Sequence, residues 1–319
     1  MNNLFKIAVN AFRESLREPV YVLMLLGALV VIGHTPWAAI FVFYEQLKLV
    51  VDSSMATSLM FGLVVAVLCA SHTVAREMRN GTVLLLLSKP VFRWSFILGK
   101  ILGIVGAATL FTAVCNLATV TAVYAATDQF RFETGIYYIF VGLIALGCVV
   151  GMFFNFWRGS SFPEIASYAI AVLVTGFAIC CMLTQPEPTI IMADLGRALV
   201  LINFAVIAMT TVAVVAATRL DVVPNLCVCT LIFFLGLVSS YLFQRPTDSG
   251  LLNVIFGILY AVIPNWQFFW LADAVAVKRP IPTSYVWNSL LYMVLFVIIA
   301  STWAVAVFQN REAAGDSRN

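Results

Sequence analysis

"IYYIFVGLIALGCVVGMFFNF", residues 136–156, carries no charged side chain from end to end. About 20 apolar residues in a helix are enough to cross the ~30 Å hydrocarbon layer of a bilayer. An apolar surface all the way round suits a helix in lipid or in a large core, not one on the surface of a soluble domain. The stretch therefore reads as a membrane span, and the rest of the chain agrees. Of 319 residues, 62% are hydrophobic and only 10% are charged, against about 25% charged in an average soluble domain. So little charge cannot cover a water-exposed surface. Outward from 136–156, comparable stretches occur at 20–44, 57–74, 97–126, 163–183, 198–218, 225–243 and 285–308. The expectation is an all-α polytopic protein with about eight transmembrane helices in a single domain over 1–319. Another apolar stretch, 251–263, is short for a span. It reads as a re-entrant or interfacial element inside an outer loop, 244–284.

Lysine and arginine set the expected orientation. With the N-terminus in the cytoplasm, the inner set is Lys6, Arg13, Arg17, Arg76, Arg79, Lys89, Arg93, Lys100, Arg158, Arg219, Arg311 and Arg318. The outer set is Lys48, Arg131, Arg197, Arg245, Lys278 and Arg279. Twice as many cations on the inner side favours cytoplasmic termini and an even number of spans. A spanning 251–263 would turn the C-terminus outward while keeping the inner excess, so the count only mildly disfavours it. The net charge of +3 is too small to indicate nucleic acid.

The first apolar segment is too long for a signal peptide and lacks a small-residue cleavage site. Residues 3–18 instead show a helical period. Asn3, Lys6, Asn10, Arg13, Glu14 and Arg17 share one arc, and Leu4, Phe5, Ile7, Ala8, Val9, Ala11, Phe12 and Leu16 take the rest. Such a helix is expected to lie on the inner membrane surface, cations toward headgroups and Phe toward acyl chains. Pro19 ends it.

Groups that carry chemistry are scarce. The Gly99, Lys100 pair is followed by Ile101, and position 94 is Trp, so the G-x-x-x-x-G-K-[ST] nucleotide loop is absent from the sequence. His34 and His72 have no metal-ligand companion at helical spacing, and the seven cysteines sit in apolar segments without C-x-x-C spacing. The acids fall at span ends or in loops, whereas ion-coupled transporters keep ionisable groups at mid-membrane depth. Asn116 and Asn203 are the deepest strongly polar residues and read as interhelical hydrogen-bonders. The glycine pairs 99/103 and 147/151 have the spacing of close helix packing. No catalytic constellation is visible, and the expectation is no enzyme. Energy for uphill work would have to come from outside the chain.

Between the second and third spans lies "EMRNGTVLLLLSKPVFRWSFILGK", residues 77–100. Asn80 and Gly81 mark a turn, Thr82 is suited to cap a helix, 83–88 gives about two turns, and Pro90 stops it. Arg93 and Lys100 read as anchors where the chain returns to the membrane. A short apolar helix on the inner face has two places to go: the lipid interface or a groove in another protein. In the second case Glu77, Arg79, Lys89 and Arg93 would set register and partner choice.

The pattern of Glu77, Gly81 and Thr82, then Leu87, Ser88, Lys89, Pro90 and Arg93, then Gly99 and Lys100 resembles the membrane subunit of ATP-binding-cassette transporters of the type-2 permease superfamily. Within it, the pattern is similar to bacterial permeases of copper-enzyme maturation and gliding-motility systems. The amphipathic N-terminus with Arg13 and Glu14 resembles that family's interface helix. Thr218, Arg219 and Leu220, then Ile263, Pro264 and Asn265, and finally Phe308, Arg311 and Glu312 also resemble family positions. The resemblance implies a coupling segment at 76–93 that seats in a separate ATPase. Glu77, Arg79, Gly81, Thr82, Ser88, Lys89, Pro90 and Arg93 would transmit motion, and Pro264 and Asn265 would belong to an outer gate. It implies a bacterial inner-membrane exporter subunit and a second permease copy or paralogue. This chain would bind no cofactor, ATP and Mg residing on the partner. Two features depart from the family. It usually has six spans, so the pair at 136–183 is surplus to a six-helix core, and no ATPase is fused. A non-transporting anchor or mechanotransmitter for an ATPase would use the same segment, and a stand-alone channel would need none.

Overall fold

The computed structural model describes residues 2–42, 45–79, 93–126, 133–186, 188, 190–243 and 250–316, and these contain helices and no strand. In chain order they are α1 (Asn2–Arg17), α2 (Pro19–Ala39), α3 (Gln46–Ala70), α4 (Arg93–Ala125), α5 (Thr134–Arg158), α6 (Phe162–Thr184), α7 (Met192–Ala217), α8 (Val222–Phe243), α9 (Gly250–Val262), α10 (Ala272–Ala276) and α11 (Thr283–Asp316). α3 runs on through a π-helical turn, Ser71–Ala75, into one more α turn, Arg76–Arg79. Eight of these helices are long and apolar enough to cross a membrane: α2 to α8, and α11. The chain is a multi-pass, all-α membrane protein.

Three span boundaries differ from the sequence expectation by five residues or more, among them the start of α7 at Met192 rather than 198. The second helix starts at Gln46, well before 57. Hydropathy discounts Gln46, Lys48 and Asp52, but these turns are covered by α10, and Gln46 is buried. The first span ends at Ala39 rather than at 44, and Phe43 and Tyr44 lie outside the described residues.

α3, α4 and α7 are the most buried spans, while α5, α8 and α11 turn most of their surface outward. Lipid tails are as apolar as leucine, so burial from water does not drive helices together in a bilayer. Close van der Waals packing does, and small residues permit it. Accordingly α3 presents Ser54, Ser58, Gly62, Ala66 and Ala70, one per turn and all buried. A Cβ on Gly62 would lie 2.9 Å from Val206 of α7 and 3.0 Å from Thr112 of α4. Some buried hydroxyls bond within their own helices, as Thr112 does to Ala108 and Thr210 to Val206, while Thr35 and Ser54 meet across α2 and α3 at 3.1 Å.

The pair α5 and α6 closes over its own glycines. A Cβ on Gly147 would fall 2.5 Å from Ile170, and one on Gly151 2.8 Å from Ala166. Gly159 ends α5 in the left-handed region, at φ 64°, where glycine carries no Cβ penalty. At the opposite end the pair is tied to the core by Tyr137, whose hydroxyl lies 3.1 Å from His34 Nε2.

α1 packs its apolar face against the protein. It crosses α4 over Gly99, Gly103 and Gly106, where a Cβ on Gly103 would come within 2.6 Å of Ala11. Ala11, Ser15 and Leu16 are fully buried, while Lys6, Asn10, Arg13 and Arg17 face outward. Only Phe5, 68% exposed, is left to reach acyl chains. The seat has a simple cause: α4 lacks side chains where the apolar face of α1 needs room.

α9 is 13 residues long, about 20 Å of helix. The chain after it turns into the flank of α8. The Pro264 carbonyl and the Trp266 ring lie over Gly236, and Trp266 Nε1 donates to the Ile232 carbonyl. Trp266 and Phe269 are buried there, and the chain returns to α7 through Ile281, whose N–H donates to Asp194.

Candidate functional site

The described ion pairs that join different helices gather where α1, α2, α3, α4 and α6 meet at one end of the bundle. α3 arrives through its π turn, which inserts one extra residue and so rotates the final α turn by about 100°. The π turn is held from α8: the fully buried Asn225 donates to Ser71 Oγ at 3.0 Å and to the Ala213 carbonyl at 3.2 Å. Beyond it, Arg76 pairs with Glu18 at 3.3 Å, and Glu77 points inward.

Lys100 completes the site. It is 2% exposed, and its ammonium donates to Glu77 at 2.9 Å and to Glu14 at 3.0 Å. One cation thus joins α1, the end of α3 and the start of α4. Segment 80–92 leaves from Arg79 and returns at Arg93, so Lys100 and Glu77 close its stem. A separate pair, Arg17 and Glu164 at 2.7 Å, ties α1 to α6. Burial pushes the Glu77 carboxyl above its ordinary range, against the pull of Lys100. The arrangement locks three chain segments into one unit at the root of the 80–92 segment.

Of the sequence-predicted coupling residues, Glu77 is in this site. Arg79 and Arg93 sit at the helix ends that bound the segment, with side chains outside the described residues. Gly81, Thr82, Ser88, Lys89 and Pro90 lie outside the described residues altogether. Lys100, expected as an anchor where the chain re-enters at the third span, turns into the protein and pairs with two carboxylates there. The fold, not the pattern, recruits Glu14 and Glu18.

Pro264 and Asn265 are far from this cluster, beside the second half of α8. Asn265 caps the turn Trp266–Phe269 by accepting from Gln267 N–H at 3.0 Å. Its amide donates to Ser240 at 2.7 Å and to Tyr260 at 3.3 Å, and its N–H donates to Tyr292 at 3.1 Å. Asn116 bridges helices, donating from α4 to the Leu199 carbonyl of α7 at 2.8 Å. Among the described residues Asn203 bonds to that same carbonyl, within its own helix rather than across helices. Asn225 was the overlooked polar residue, hidden by its place at the start of an apolar run. Among the described residues no cluster of three His, Cys, Asp or Glu side chains is placed to hold a metal.

No protein-family model matches this chain, and no curated protein matches its sequence. The functional reading therefore rests on the residues and the geometry.

Proposed function

We propose that the chain is the membrane-spanning subunit of an ATP-binding-cassette exporter in a bacterial inner membrane, driven by a separate cytoplasmic ATPase. ATP and Mg would be bound by that partner. α1, the 80–92 segment and both termini would lie on the cytoplasmic side, as the distribution of Lys and Arg favours. A second permease copy or paralogue would complete the pathway.

One observation carries the reading: Lys100 joins Glu77 and Glu14 at the root of the 80–92 segment. A peg gripped by an ATPase must pass its displacement to the spans. A stem closed by a buried ion pair passes it to α3, α4 and α1 together. Packed small-residue interfaces then carry a rigid-body tilt instead of absorbing it.

The test is co-purification from native membranes followed by an ATPase assay on the complex. The expected result is a nucleotide-hydrolysing subunit whose turnover falls when Gly81→Val is introduced, with the assembly intact. Membranes that never yield such a subunit would sink the proposal. Flux into reconstituted vesicles separates transport from recruitment alone.

A further inference from the structure

We propose that the cleft between α1 and the α5–α6 turn binds the phosphate of an anionic phospholipid, with Arg13 as its principal ligand. The cleft has a volume of about 580 Å³ and is lined by Arg13, Arg17, Ser160, Ser161, Glu164 and Ile165, among others. Its charges do not cancel. Glu164 is held by Arg17 at 2.7 Å, and Arg13 makes no ion pair with any described residue. One guanidinium is left to face the cleft. Its flat fork of N–H donors matches two oxygens of a phosphate.

A second cleft, of about 450 Å³, lies on the other side of Arg13, but Glu14 and Glu18 line it. Three arginines against two carboxylates leave it the same single positive charge, so what favours the α5–α6 side is its apolar and aromatic border.

The surroundings suit a lipid. The end of α5 beside the cleft exposes Phe156 (94%) and Trp157, and Arg158 stacks 5.3 Å above the Trp157 ring. Aromatic and cationic side chains of this kind mark the headgroup level. Ile165 continues the cleft toward the apolar flank of α6. A free phosphate would find the same guanidinium but would leave that apolar side empty. The site is independent of the ATPase reading.

The test uses the purified full-length chain in micelles with equal amounts of phosphatidylglycerol and phosphatidylcholine, with retained lipid counted by native mass spectrometry. Wild type should enrich phosphatidylglycerol. Arg13→Gln should lower the enrichment about fivefold, the effect of one surface cation on an anionic lipid. Arg13→Lys should keep part of it, and Lys6→Gln, on the same helix, should leave it unchanged. In a second arm, inorganic phosphate is added to the protein in phosphatidylcholine alone, and no change in thermal stability is expected. Equal enrichment in wild type and Arg13→Gln would overturn the site. A phosphate-induced stabilisation that Arg13→Gln abolishes, without lipid enrichment, would overturn the lipid assignment.

Discussion

Lys100 Nζ sits 2.9 Å from Glu77 Oε1, across the gap where the chain leaves α3 and returns in α4. Side-chain exposure is 3% at the lysine and 20% at the glutamate. This buried pair turns two ends of one segment into a single stem, and Glu14 adds α1 to it.

The two partners should respond unequally to mutation. Removing one member of a buried pair strands the other charge, at a cost of about 3–5 kcal/mol. Lys100→Met strands two carboxylates, both partly exposed, so a loss near the lower end, about 3 kcal/mol, is expected in thermal unfolding. Glu77→Gln leaves Lys100 with Glu14 and should cost less. The combination of Glu77→Gln with Lys100→Met should recover part of the loss. Equal losses from the two single variants would contradict the account.

The pH dependence has a definite sign. Burial raises the Glu77 carboxyl above its ordinary value of 4.5, so the fold prefers the protonated form. The group's contribution is complete below pH 4.5 and is lost as pH rises through the raised value. The melting temperature of wild type minus that of Glu77→Gln should therefore decline between about pH 4 and the raised value, then level off. A difference that is flat, or that grows with pH, would refute the burial argument.

α1 should undock when its seat is filled. A Cβ on Gly103 would meet the Ala8 carbonyl and the Ala11 Cβ, both parts of a rigid helix. Overpacking of this kind costs about 1–3 kcal/mol. Gly103→Val should raise hydrogen exchange across Asn2–Arg17 while leaving α7 protected. Gly176→Ala, at a position with nothing within 4 Å, serves as the control. It should be neutral, or stabilising by up to about 1 kcal/mol.

Gly236→Val should expel the turn Trp266–Phe269 from the flank of α8, because the added side chain takes the place of the Pro264 carbonyl and the Trp266 ring. Trp266 would lose its bond to the Ile232 carbonyl. Since six other tryptophans contribute to emission, the readout is quenching of a variant that keeps only Trp266. Unchanged quenching would show that the turn seats elsewhere.

The membrane class and the eight spans were legible because uncharged stretches of about 20 residues have one physical solution, a helix in lipid. The glycine spacings at 99/103 and 147/151 and the polar arc of α1 were visible too, as local periodicities. What the periodicities did not name was the partner of each face. Gly103 received α1, and Gly147 received α6. Nor could spacing show that Lys100, Glu77 and Glu14, 86 residues apart at the extremes, share one buried point, or that Asn225 reaches back to Ser71. In a bilayer apolar faces are interchangeable as far as the surrounding lipid is concerned, so composition determines that the helices cross. Which surfaces meet is decided only by the fit of small residues and by the few polar groups that must find each other once water is gone.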